Sequence, residues 1–493
     1  MAILEEVAKH YGTVPNYVGG QWVESSSREQ LEVMNPALDE PIARVPLCGE
    51  EEVDQAVRAA QAAYPEWRET PPIERARYMF RLKKIMESNY ERIARVITQE
   101  NGKVIDEARG EVRRAIENVE VAAGITSLMM GYSLEEGAAA GIDEEAIREP
   151  LGVFAAICPF NFPAMVPFWF WPYAVACGNT FIVKPSEMVP VTQVKIFELI
   201  EEAGFPAGVV NMIHGGAETG RALAAHPGVD GISFVGSTPV ARAVYALAGE
   251  HGKRAQCQGG AKNLLVVMPD ADLRRAVPNI LSSCFGTAGQ RCLAGAIVVA
   301  VGDGYAQLQE DLVEAASRIS VGYGLDESAQ MGPVISKDSR QRILGYVEQG
   351  LAAGARLLLD GRRCRVPGYE KGYFVGPAIF DNVTPEMSIA QDEIFGPVLC
   401  LMRAESLEES IALINESPYG NAASIYTRDG RSAREFRHRA DVGNVGINIG
   451  IPAPMAYFPF CGRKASFFGS LHGQTRDCID FFTDRKVVIT RWF

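Results

Sequence analysis

NTFIVKPSEMVPVTQVKIFELIEEAG, residues 179–204, decides how the chain is read. Its first part holds a short apolar run, Thr180–Val183, of the kind that forms a buried strand, and VTQVKIFELIEEAG (191–204) carries apolar residues at helical spacing. The same alternation continues on both sides. GVFAAICP (152–159), VVNMIHGG (209–216) and GISFVGST (231–238) are further strand candidates, while ETGRALAAHP (218–227) and TPVARAVYALAGEHG (238–252) are helical candidates. Strand and helix in repeated succession predict an α/β fold with a mainly parallel sheet, whose ligands collect beyond the carboxyl ends of the strands.

Upstream, EEEVDQAVRAAQAAYPEWRE (50–69) and the run Pro72–Gly102 have the periodicity of helices packed on one face, and a third helix is expected from about Val104 to Ala122. EEGAAAGIDEEAIREPLG (135–152) is polar with short alternating pieces, as in a hairpin that serves another subunit. Downstream, KNLLVVMPDAD (262–272) opens a second α/β region. The closing LHGQTRDCIDFFTDRKVVITRW (471–492) contains an alternating VVITR strand that can pair outside its own domain.

The 493 residues suffice for two or three domains, and 47% hydrophobic with 22% charged residues is the composition of a soluble globular protein. A net charge of -13 with no long basic block argues against a nucleic-acid surface. MAILEEVAKHYG at the start lacks the features of a secretory signal, and the apolar stretch Met165–Cys177 is short and broken by Pro167 and Pro172, so no membrane span is expected. The ten cysteines and six histidines are scattered, without zinc spacing or a disulfide framework. A cytoplasmic protein with reduced thiols and no metal site is the expectation.

One cysteine stands apart. GTAGQRC (286–292) places Cys292 after Gly286, Ala288 and Gly289, which allow close backbone approach, and directly after the cation Arg291. A thiol there is suited to attack a carbonyl and to leave again as a thiolate, although a lone cysteine is more often a buried structural residue. Asn161, in the proline-flanked CPFNFP, could add an oxyanion donor or be a turn residue. Lys184 and Glu187 of KPSE follow a strand and suit ribose hydroxyls. HGGAETG (214–220) and FVGST (234–238) are small-residue junctions that can admit a pyrophosphate, though neither is a GxGxxG fingerprint.

PFNFP (159–163), KPSE, FVGST, GQRC (289–292) and EIFGP (393–397), in this order and spread over essentially the whole chain, resemble the aldehyde dehydrogenase superfamily. The resemblance implies a Rossmann-like NAD-binding domain (residues 1–128 and 153–253), an α/β catalytic domain (254–468) and a small β oligomerisation extension (129–152 and 469–493). REPLGVFAAICPFNFP, GGAKN, FGTAGQRC and ASFFG are similar to segments of the coenzyme A-acylating methylmalonate-semialdehyde branch, which also takes malonate semialdehyde.

By that resemblance Cys292 is the nucleophile and Asn161 the oxyanion donor. Cys158, Phe160, Lys184, Glu187, Met188, Ser237, Gly259, Glu393 and Phe395 would meet the cofactor, NAD in preference to NADP because Glu187 repels an added ribose phosphate. Arg114 and Arg291 would hold the substrate carboxylate by charged bidentate contacts. Without the resemblance, Arg114 reads equally well as a helix cation paired with Glu111 or Glu117. Hydrolytic relatives carry a water-activating glutamate where QCQGGAKN has Gln258, and an amide is no general base, so coenzyme A is the expected acyl acceptor. The products implied are propionyl-CoA or acetyl-CoA, and the assembly a homodimer or homotetramer. A nonacylating dehydrogenase with Glu393 activating water, and an inactive metabolite-binding protein, are the rival readings.

Overall fold

The computed structural model describes residues 3–493. The four strand candidates around residues 152–238 form Val153–Ile157, Thr180–Lys184, Val210–Met212 and Gly231–Val235, and every residue of them is buried. Together with Arg254–Gln258 they are the parallel centre of an eight-stranded sheet. Helices on both faces account for their unbroken apolar character. Antiparallel edges come from Asn16–Val18 on one side and Phe467–Phe468 on the other.

The order of this sheet makes the site. From Val153–Ile157 the chain steps outward to Thr180–Lys184 and Val210–Met212, then returns to lay Gly231–Val235 on the opposite side of the first strand. A crevice opens at the carboxyl ends where the winding reverses, between Ile157 and Val235.

The second region, opened by Asn263–Val267, is a seven-stranded sheet in the order Arg356–Leu359, Ala378–Asp381, Val398–Ala404, Gly295–Val301, Asn263–Val267, Ala422–Tyr426, Asn444–Ile447, with only the first antiparallel to its neighbour. It has its own apolar core, distinct from that of the first sheet. Gln258 to Asn263 leads from one sheet to the other. The carboxyl ends of the first therefore face the amino ends of the second.

Helices Glu50–Glu69, Pro72–Ser88, Tyr90–Asn101 and Ile105–Ala123 occupy the periodic segments. Met165–Cys177 divides into two short helices, Met165–Phe168 and Trp171–Cys177, packed within the first core. Among the described residues no helix is long and apolar enough to cross a membrane. The closing strand Thr483–Arg491 pairs antiparallel with Ile142–Pro150, and Tyr132–Leu134 completes a three-stranded sheet. Between Gly469 and this strand, Thr475–Phe482 is helical and buries Cys478, Ile479, Phe481 and Phe482 in the first core.

Candidate active site

Where the two sheets face each other lies a cavity of about 1020 Å³. Cys292 and Asn161 share its wall with all nine residues that the sequence reading assigns to the cofactor: Cys158, Phe160, Lys184, Glu187, Met188, Ser237, Gly259, Glu393 and Phe395. Its far end runs along the helix Thr238–Glu250 past Val240, Leu247 and Glu250.

A dinucleotide suits this shape and lining. Lys184 ends its strand with the ammonium held by the Pro185 carbonyl at 2.8 Å and 3.4 Å from Glu187, and burial lowers its pKa. Ser237 and the helix start behind it offer N–H groups and a positive dipole end to phosphate oxygens. Glu393 closes the inner end. Its carboxylate accepts from Ala261 N at 2.8 Å and lies so near Gly260 that a β-carbon there would come within 2.4 Å of it. Phe395 meets Phe160 edge-on, ring centroids 5.7 Å apart.

The nucleophile loop is held in a costly shape. Thr287 and Ala288, directly before Gly289, both adopt left-handed backbone, with φ of 52° and 51°. Each such residue costs roughly 1–3 kcal/mol, most for the β-branched threonine. The Glu107 carboxylate grips the turn by accepting from Thr287 N at 2.8 and 3.0 Å. Gly289 is required because a β-carbon would lie 2.2 Å from the Gly396 carbonyl. Beyond the turn, the Cys292 carbonyl accepts from Asn263 Nδ2 at 2.9 Å and Asn421 Nδ2 at 2.8 Å, which fixes its peptide plane.

Burial pushes the Cys292 thiol up to about 12 and the Glu393 carboxylate adds to this, while the N–H groups of Cys292 and Leu293 and the Arg291 cation act in the opposite direction. At neutral pH the thiol is therefore protonated, and its activation needs a base or a further positive charge. Burial likewise raises the Glu393 carboxyl, to about 7.

Asn161 is buried, and its Nδ2 donates to the Gln290 carbonyl at 3.1 Å, next to the nucleophile. Its own carbonyl receives Lys103 Nζ at 2.6 Å, and Lys103 forms a fully buried ion pair with Glu111. Glu111 also accepts from Ala164 N and so pins both sides of the PFNFP loop.

The two arginines expected to share one carboxylate are not brought together. Arg291 turns to Glu107 at 2.5 Å and to Thr287 Oγ1 at 3.0 Å, whereas Arg114 pairs with Glu117 at 3.0 Å. Neither lines the large cavity. Glu107 and Arg114 lie on one helix, seven residues and about two turns apart. Glu111, between them, is committed to Lys103, which leaves Glu117 as the partner of Arg114.

Gln258 Nε2 donates to Asn421 Oδ1 at 3.2 Å, and Asn421 in turn holds the Cys292 carbonyl. The amide is thus part of the scaffold around the nucleophile. Among the described residues no group of three His, Cys, Asp or Glu side chains is placed to hold a metal ion. Ser339 and Arg342, on the helix Lys337–Ala352, also line the cavity and had no local motif to announce them. Asn421 and Glu107 escaped for the same reason, and Asn263, though it ends GGAKN, was given no role from sequence.

The aldehyde dehydrogenase family model matches residues 22–488. Malonate-semialdehyde dehydrogenase 2 of Geobacillus kaustophilus is 50% identical over 480 residues, 97% of this chain and 99% of the relative. The solved methylmalonate-semialdehyde dehydrogenase of Oceanimonas doudoroffii superposes with a TM-score of 0.96 at 43% identity, covering 98% of this chain and 99% of its own. A Sinorhizobium meliloti protein, described as a candidate methylmalonate-semialdehyde dehydrogenase and solved with NAD, gives 0.96 at 42% identity, covering 98% of both chains. With the family model covering residues 22–488 and relatives alike over nearly their whole length, this chain belongs to the aldehyde dehydrogenase family.

Proposed function

We propose that the protein oxidises malonate or methylmalonate semialdehyde with NAD and passes the acyl group to coenzyme A. The observation that carries this reading is the pairing of Cys292, set in the cavity wall, with an amide at Gln258 held on Asn421. The relatives named above supply the substrate class, and the lining from Lys184 to Glu393 fits the dinucleotide.

In the first step Cys292 gives its proton to Glu393, and the sulfur adds to the aldehyde carbon. The carbonyl π electrons move to oxygen, where Asn161 Nδ2 and the Cys292 N–H stabilise the charge. NAD supplies the hydride acceptor that turns this adduct into a thioester. The substrate carboxylate, now β to the thioester carbonyl, departs as carbon dioxide. Its bonding electrons pass into the carbonyl as an enolate, which is then protonated at carbon. Finally the coenzyme A thiolate attacks the thioester, the bond to Cys292 sulfur breaks, and the enzyme thiolate is released.

The acceptor follows from Gln258. Wild-type enzyme given coenzyme A is expected to form acyl-CoA in excess of free acid, and Gln258→Glu to raise free-acid formation by roughly a hundredfold by restoring a general base. Chromatography of both products checks this, and free acid dominating in the wild type would favour the nonacylating reading.

For the substrate, the carboxylate would exchange with Glu107 on Arg291, which adjoins the cavity-wall residue Cys292 in sequence, while Arg114 stands seven residues from Glu107 on the helix Ile105–Ala123. Arg291→Ala should lose about 10- to 100-fold in kcat/KM for malonate semialdehyde relative to propanal, the value of a charged hydrogen-bond pair. Arg114→Ala should change the same ratio. Unchanged ratios in both variants would reject this role.

Self-association through the three-stranded sheet is supported by its exposed apolar side chains, among them Tyr132, Leu134, Val487 and Ile489, which suit a homodimer or homotetramer. Ten cysteines without a disulfide suit a reducing, cytoplasmic setting.

A further inference from the structure

A second concavity, of about 640 Å³, is lined by Arg340, Arg362, Arg363, Arg365, Tyr369 and Phe374. It sits across the helix Lys337–Ala352 from the cofactor cavity: Ser339 and Arg342 line the first, and Arg340, about 100° round the helix from Ser339, lines the second. Four guanidinium groups in one pocket are unusual on a chain whose net charge is -13.

Most of that charge is unspent. Arg362 is satisfied by Asp360 at 2.6 Å and Glu348 at 2.5 Å, and Arg340 gives only its Nε to the Phe374 carbonyl at 3.2 Å. Among the described residues, Arg340, Arg363 and Arg365 meet no carboxylate. The one acid in the lining, Glu370, accepts from Gly368 N at 2.9 Å.

The pocket is also built rather than loose. Asp360 caps the turn Gly361–Arg363, and Gly361 lies so close to the neighbouring strand entry that a β-carbon would come within 1.9 Å of the Gly376 carbonyl. Val366 and Phe374 are buried beneath it, and half-buried Tyr369 gives it an aromatic wall. Crowded like charges repel unless an anion offsets them, and arginine forks match phosphate oxygens in pairs. Beside an aromatic face, the ligand class is a nucleotide carrying several phosphates.

We propose that this arginine pocket receives the phosphorylated adenosine end of coenzyme A, whose arm passes the amino end of the helix Lys337–Ala352 to bring its thiol to Cys292. The proposal rests on the acyl-transfer reading above. It places the two nucleotides on opposite walls, NAD along the first sheet and coenzyme A against the second.

The test uses full-length wild type and the double variant Arg363→Ala/Arg365→Ala, with the NADH burst as control for folding and cofactor binding. The KM for coenzyme A is expected to rise at least about tenfold in the variant, with burst amplitude and KM for NAD unchanged. Dephospho-coenzyme A, which lacks the 3′-phosphate, should be a poor acceptor for wild type and lose less on mutation. Adenosine 3′,5′-bisphosphate should bind NAD-saturated wild type by calorimetry and not the variant. Acyl-CoA formation with an unchanged KM for coenzyme A would overturn the pocket assignment, as would bisphosphate binding abolished by saturating NAD. A wild type that forms only free acid would instead overturn the acceptor reading. Bisphosphate failing to bind the wild type would remove the pocket whatever the acceptor.

Discussion

Cys292→Ala is expected to abolish the pre-steady-state burst of NADH, lowering the oxidation rate by roughly four to six orders of magnitude, the loss that follows when a covalent nucleophile is removed. The expectation is specific because Cys292 is one of ten thiols and the others sit differently. Cys284, eight residues earlier, is buried in the second core, and Cys158 lines the cavity but is pushed up to about 12 by burial without the paired N–H donors that favour a thiolate at Cys292. Stopped-flow absorbance with saturating NAD reads the burst, and mass spectrometry after one turnover locates the acyl adduct. A normal burst in Cys292→Ala, or an adduct on another residue, would end the thioester mechanism.

The second large effect is at Asn161. Removing one oxyanion donor in a preorganised site costs roughly 10²–10³ in rate, so Asn161→Ala should slow the burst by that factor while leaving NAD affinity near its original value. A structural role would show differently. Asn161 lies in a loop pinned by the buried Lys103–Glu111 pair through backbone groups, and these contacts survive loss of the side chain amide. Rapid-mixing kinetics together with NAD titration separates the two. A burst reduced less than tenfold would remove Asn161 from the chemistry, and a parallel collapse of NAD binding would assign it to the scaffold.

The strain before Cys292 has a purpose in this scheme. The left-handed Thr287–Ala288 pair stands five and four residues before Cys292, and Glu107 restrains it from a helix almost two hundred residues earlier. The same carboxylate also pairs with Arg291. If Arg291 holds the substrate carboxylate as proposed, that recognition and the set of the loop before Cys292 are joined through Glu107.

How much of this could be read without coordinates follows from the range of the forces. Strands such as Thr180–Lys184 and helices such as Glu50–Glu69 were legible because burial imposes a local period on the residues, whereas most of the residues expected at the cofactor came from the family resemblance and not from a local pattern. Partners that meet only in space leave no such trace. Glu107 on Arg291, Asn263 and Asn421 on the Cys292 carbonyl, Arg342 in the cavity and the turning of Arg291 away from Arg114 were settled by the docking of one sheet on another. By itself the sequence determined the strands and helices, since these depend on neighbours along the chain, while the order in which the strands wind into each sheet was set by pairing between distant segments. Which charges pair, and which arginines remain free for a ligand, was decided only in the tertiary structure, because electrostatic and hydrogen-bond partners are chosen by distance in three dimensions.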